Sequence, residues 1–130
     1  MKFSIIIVTY NQDFNRIKNT LKSVLCQKFT DYEIIVSDDG SDCNHFEDIK
    51  RYLDDNHVTA YKLISNKENQ GTVRNILTAL DASEGEYIKD FGAGDMFYDA
   101  DSLGKLNDYF CKTNCDVCMG LFRAYYYDSS

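Results

Sequence analysis

The chain has 130 residues, of which 44% are hydrophobic and none is proline, a composition that suits one globular domain able to bury a core. Lys+Arg number 14 against 21 Asp+Glu, a formal net charge of −7; without a broad basic field, a nucleic-acid backbone is excluded as the natural partner. A single phosphate-bearing ligand is not, because local dipoles, one or two cationic side chains or a metal can hold it.

Residues 3–9, FSIIIVT, form a continuous β-branched run, the pattern of a strand covered on both faces and hence of a parallel sheet. Phe14, Ile17, Leu21, Val24 and Leu25 recur at helical spacing and predict an amphipathic helix over about 13 to 27, with Asp13 as its N-cap. A second strand over 32–37 stops at Asp38-Asp39-Gly40-Ser41, whose Asp-Gly pair marks a tight turn. Phe46, Ile49, Tyr52 and Leu53 predict a short second helix, and 58–64 a third strand. Val73, Ile76, Leu77 and Leu80 mark a third helix opening after Gly71. Residues 86–91 read as a fourth strand leading into Gly92-Ala93-Gly94-Asp95. Leu103, Leu106, Tyr109 and Phe110 define a fourth helix, and 116–122 a fifth strand. This alternation predicts an α/β fold, an open, mostly parallel sheet flanked by helices and built with right-handed crossovers.

The opening MKFSIIIVTYNQ has an apolar run too short and too β-branched for a signal peptide, and no apolar stretch approaches the roughly 20 residues that span a bilayer. A cytoplasmic protein is expected. The five cysteines, Cys26, Cys43, Cys111, Cys115 and Cys118, are an odd set and are expected to be reduced thiols, neither a disulfide framework nor a zinc cluster. His45 and His57 stand near loops with no partner in sequence to suggest a catalytic pair.

In an open α/β sheet, ligands bind beyond the carboxyl ends of the strands. Here those ends carry Thr9-Tyr10-Asn11, Asp38-Asp39-Gly40-Ser41 and Gly94-Asp95. Converging hydroxyl, amide and carboxylate groups are what a nucleoside needs, since its base and ribose offer both donors and acceptors.

Four segments, SIIIVTYNQ, LKSVLCQKFTDYEIIVSDDGS, NQGTVRN and GEYIKDFGAGDMF, resemble family 2 glycosyltransferases in order and spacing across about the first hundred residues. The resemblance implies a GT-A, Rossmann-like fold whose nucleotide-sugar-binding half is residues 1–130, ending before the acceptor-binding part. It implies that Thr9 and Asn11 line the nucleotide pocket with Tyr10 as a wall for the base, and that Asp39 accepts a hydrogen bond from a base ring nitrogen while Asp38 orients the turn. An alternative use of both aspartates is to shape the Asp-Gly turn and cap the next segment. Arg74 matches the family arginine that reaches the nucleotide, one turn inside a helix start where an anion is favoured; a surface salt bridge is its plainer use.

Relatives usually carry Asp-x-Asp or Asp-Asp after the fourth strand, for ribose and for a divalent cation, Mn or Mg. In Gly92-Ala93-Gly94-Asp95 only Asp95 remains, at the position that matches the metal ligand, with Gly94 where a second carboxylate is usual. One carboxylate with phosphate oxygens and waters can complete an octahedral sphere, and restoring the pair at Gly94 would add an oxygen unless glycine serves a positive φ there. The implied reaction is inverting transfer of a sugar from a nucleotide-sugar donor, usually a UDP-sugar, to a hydroxyl on a glycan or glycolipid acceptor. Surface polysaccharide or glycoconjugate synthesis is the implied setting, at the inner face of the membrane through regions outside this chain if at all. No residue is assigned as general base, which the resemblance puts beyond Ser130. A nucleotide-binding module without catalysis is the rival reading, supported by the two glycines beside Ala93.

Overall fold

The computed structural model describes residues 1–118. Four strands and four helices alternate: β1 (Phe3–Thr9), α1 (Phe14–Leu25), β2 (Tyr32–Asp38), α2 (Phe46–Asp55), β3 (Tyr61–Ser65), α3 (Thr72–Ala82), β4 (Tyr87–Gly92) and α4 (Ser102–Thr113). All pairings are parallel in the order β3-β2-β1-β4. The predicted fifth strand, 116–122, lies largely outside the described residues, and 116–118 are not in regular structure.

β1 lies between β2 and β4, and helices cover both its faces, which is why its sequence does not alternate. Phe3, Ile5 and Ile7, with Ile34 and Val36 of β2, pack against Ile17, Leu21 and Val24 of α1, Ile49 and Leu53 of α2, and Leu103 and Phe110 of α4. The opposite face, Ile6 and Ile35 with Val8 and Ile64, meets Ala79 and Leu80 of α3. Three helices therefore cover one face and α3 the other.

α3 corrects the sequence expectation. Of its predicted inward residues, Val73 and Leu77 are exposed, at 72% and 52%, whereas Asn75 and Ala79 are buried. The small Ala79 allows close approach to the sheet, and Asn75 is admitted because Nδ2 donates to Ser37 O at 3.0 Å while Oδ1 accepts from Ser37 Oγ at 2.6 Å. Tyr109, assigned to the apolar face of α4, is likewise 52% exposed.

β3 also starts later than the predicted 58, because α2 ends in a Schellman motif. His57 takes the left-handed conformation (φ 61), its N–H donating to Asp54 O at 3.0 Å and that of Val58 to Leu53 O at 2.9 Å. Val58 is thereby committed to the helix end. Asp13 caps α1 as expected, accepting from Asn15 N at 3.0 Å.

At the amino-terminal ends of the strands, on the α3 face, Glu33 is 1% exposed. It accepts from Ser4 Oγ at 2.6 Å and Glu84 N at 2.7 Å, and Lys62 Nζ stands 3.4 Å away. Burial raises the pKa of this carboxyl. The Ser4 hydroxyl, the Glu84 amide and the Lys62 ammonium together outweigh burial and hold it below the usual 4.5. The network thus fixes the start of β1 to the entry of β4 and the end of α3.

Candidate functional site

The strand order reverses at β1, whose neighbours β2 and β4 are reached over opposite faces of the sheet. This leaves a crevice between the carboxyl ends of β1 and β4, where open α/β sheets bind ligands. An open cleft of about 240 Å³ lies there, a little below the range of about 300–1,000 Å³ usual for pockets that enclose a whole ligand. Thr9, Tyr10, Asp39, Thr72, Asn75 and Gly92 are among its lining residues.

The predicted residues divide by what they touch. Thr9 and Asp39 are each 3% exposed on the cleft wall, and Tyr10, 44% exposed, stands at its mouth. Asp39 Oδ1 accepts from Gln70 N at 2.8 Å and Oδ2 from Gly71 N at 3.0 Å, so this carboxylate holds the entry to α3. Each oxygen keeps a second lone pair for a ligand donor. Asp38 is buried and does not line the cleft; it accepts from Thr9 Oγ1 at 2.7 Å, from Ser41 N at 2.8 Å and from Ser41 Oγ. Its geometry is that of a turn organiser. Asn11 lies outside the cleft at φ 49 and joins the end of β1 to that turn, with N donating to Ser41 Oγ at 2.7 Å and Oδ1 accepting from Asp42 N at 3.0 Å.

Arg74 is exposed on the first turn of α3, away from the cleft wall, and makes no ion pair among the described residues. Gly94 is buried at φ 101, and Asp95 after it is exposed, its N–H donating to Gly92 O at 3.0 Å. The Asp95 carboxylate lies close over Gly92, with Oδ2 3.4 Å from where a Cβ on that glycine would stand. Lys89 on β4 is depressed by burial, with the charges of Asp90 and Asp95 acting in the opposite direction.

Thr72 and Asn75 on the cleft wall were not singled out from the sequence, although both fall in or beside NQGTVRN. A polar residue at a buried helix position was the available signal. His45 Nδ1 lies 3.7 Å from Cys43 Sγ, an exposed contact within the loop before α2.

A doubly wound sheet with a polar cleft at its point of reversal defines the class of α/β domain that binds its ligand at a topological switch point. Residues 4–130 match glycosyl transferase family 2, and the chain belongs to that family. The poly(ribitol-phosphate) beta-N-acetylglucosaminyltransferase TarP of Staphylococcus aureus (strain N315) is 33% identical over 125 residues, 93% of this chain and 36% of that protein. The corresponding TarS of strain Mu50 is 32% identical over 103 residues, 78% of this chain and 16% of its own length. The chain thus spans only 16% to 36% of these relatives. The crystal structure of S. aureus TarS 1-349 in complex with UDP-GlcNAc matches with a TM-score of 0.76 at 26% identity, over 88% of this chain and 32% of that one. The mannosyltransferase PcManGT from Pyrobaculum calidifontis, in complex with GDP-Man and Mn2+, shares the fold with a TM-score of 0.77 at 22% identity, over 84% and 32%. The fold is of the GT-A type.

The donor set bears on the metal expected for such a fold. Among the described residues, no group of three or more His, Cys, Asp or Glu side chains comes together to hold an ion. Asp95 offers one hard oxygen, beside two glycines that offer no side chain. The residues fit a Mg or Mn ion that arrives with a diphosphate supplying further oxygens, and not a resident ion.

Proposed function

We propose that the protein transfers a sugar from a nucleotide-sugar donor, a UDP-sugar, to a hydroxyl acceptor on a glycan or glycolipid during surface polysaccharide or glycoconjugate synthesis, with inversion. The observation that carries this is the polar cleft at the point of strand reversal, walled by Thr9, Asp39, Thr72 and Asn75 in a chain of this family. The UDP and UDP-GlcNAc complexes of TarS support the choice of donor. In this reading Asp39 accepts from the base, Tyr10 covers it at the mouth, and Arg74 swings from the first turn of α3 to the diphosphate, where helix dipole and guanidinium both favour an anion. Asp95 would hold a divalent cation, which would supply charge stabilisation for the departing diphosphate. No residue of this chain is assigned as the base that deprotonates the acceptor.

The test is calorimetric titration of the folded chain with a panel of nucleoside diphosphates, with and without Mn. UDP is expected to bind, and Mn and UDP to strengthen each other, since coupling is reciprocal. Asp95→Asn keeps the shape and removes the charge; it is expected to abolish the coupling and leave metal-free binding nearly intact. Silence toward every nucleoside diphosphate would reject the site. Equal coupling in wild type and Asp95→Asn would remove Asp95 from the metal and favour the non-catalytic binding module.

The glycines supply a second prediction. Gly94→Asp, the obvious way to rebuild an acidic pair, would force a side chain onto a buried residue at φ 101 and is expected to cost about 1–2 kcal/mol. Gly92 has ordinary φ, and a Cβ there meets only Asp95 Oδ2 at 3.4 Å. Gly92→Asp is therefore expected to fold and to raise the Mn-dependent gain in UDP affinity by about tenfold, through a second carboxylate near the ion. Thermal unfolding and calorimetry of the two variants check both; a stable Gly94→Asp, or no gain from Gly92→Asp, would contradict this geometry.

A further inference from the structure

The segment LKSVLCQKF contains Ser23 and Gln27, which the cleft does not use, and Thr20 lies one turn earlier. The three form a stripe along one side of α1 running on to its C-terminal end. Thr20 and Gln27 are buried, at 0% and 5% exposure. Thr20 Oγ1 donates to Arg16 O at 3.3 Å and Ser23 Oγ to Thr20 O at 2.8 Å, so each hydroxyl proton is engaged within the helix. Their lone pairs face the chain that follows β4. Thr20 Oγ1 accepts from Gly94 N at 2.8 Å, and Ser23 Oγ from Phe97 N at 3.2 Å. Gln27 uses both ends of its amide, Oε1 accepting from Leu103 N at 2.9 Å and Nε2 donating to Asp99 O at 2.6 Å. From Gly94 to Leu103 in the first turn of α4, the chain thus meets α1 and the turn just after it at four points, where side chains supply partners that the backbone lacks.

We propose that Thr20, Ser23 and Gln27 are positioning residues that set where the Asp95 carboxylate stands at the donor site, an inference that rests on the nucleotide-sugar reading above. Gly94 is the link. Its amide is held by Thr20, its positive φ turns the chain, and Asp95 follows directly. Thr9, Asp39 and Asn75 are carried by other elements, so a shift of this loop moves Asp95 and leaves the nucleoside wall in place.

Thr20→Val removes the hydroxyl at nearly constant volume, and Thr20→Ser retains it. Hydrogen exchange at the Gly94 amide, read by NMR, is expected to speed up by about tenfold or more in Thr20→Val. The gain in UDP affinity on adding Mn is expected to fall by about tenfold, because such groups must be held to within about 0.5 Å. Metal-free UDP affinity stays near that of the wild type, and Thr20→Ser restores both readouts. If Thr20→Val fails to fold, Ser23→Ala carries the same test at the Phe97 amide. Unchanged exchange, or faster exchange with an intact metal gain, would overturn the positioning role. A wild type that shows no metal gain would instead overturn the site reading, and the positioning role with it, before any variant is compared.

Discussion

Asp39→Ala is expected to weaken UDP binding by about 10–100-fold, the loss of one or more charge-assisted hydrogen bonds at about 1.5–3 kcal/mol each. Two losses add. The base loses its acceptor, and the Gln70 and Gly71 amides lose the carboxylate that fixes the entry to α3, so the helix end proposed to face the diphosphate is no longer set. Water reaches these amides, because Gln70 and Gly71 are exposed, and the cost to folding should be smaller, about 1–2 kcal/mol. Asp39→Asn is expected to behave like the alanine variant in binding, since one end of its amide presents N–H toward an N–H that needs an acceptor. Calorimetry with urea unfolding separates the two effects. Wild-type affinity in Asp39→Ala would leave this residue as a loop staple only.

The largest effect on stability is expected at the other end of the sheet. Glu33→Ala leaves the Ser4 hydroxyl and the Glu84 amide without their buried acceptor and should cost about 3 kcal/mol. Lys62 adds little to that figure, because its side chain is 36% exposed. Glu33→Gln keeps the shape and one acceptor and should cost about 1–2 kcal/mol. The pH dependence has a defined sign. Because the folded-state pKa of Glu33 is lowered, its contribution is fully present above the usual 4.5 and is lost as pH falls through the lower folded value. The difference in urea midpoint between wild type and Glu33→Gln should therefore be greatest near neutral pH and shrink in acid. A difference that grows in acid would mean that this carboxyl is not stabilised in its ionised form.

Strand and helix order were legible in the sequence because β1 and β2 are continuous apolar runs and α1 has a clean helical period with a capping aspartate. The four motifs located the strand ends that wall the cleft. The start of one strand and the buried side of one helix were not legible, each because a local interaction overrides a pattern. The start of β3 was misplaced because a histidine takes the left-handed position usual for glycine at the end of α2, which commits Val58 to the helix. The buried side of α3 was misassigned because the apolar period weights large side chains, whereas close packing here uses Ala79 and a hydrogen-bonded Asn75. Residue type alone does not separate adjacent Asp38 and Asp39, but the family resemblance assigned the turn to Asp38 and the ligand to Asp39. The backbone points one into the turn and the other into the cleft, so the turn-forming geometry belongs to Asp38 while Asp39 alone reaches the wall.

The strand order also governs how the chain reaches its folded state. Phe3 pairs with Tyr32 on one side and with Tyr87 on the other, and no two strands consecutive in sequence are joined as a hairpin among the described residues. The earliest strand of this sheet is therefore the last to be completed: on the ribosome, β1 gains β2 early but keeps an open edge until β4 emerges. Loops this long must close before their contacts are gained, which slows folding and exposes pairing edges in the interval. Refolding is expected to be slower than for helical proteins of this size. Substitutions that weaken the β1–β4 seam, such as those at Gly85, where a Cβ would collide with the Ser4 backbone nitrogen, should show first as aggregation during synthesis.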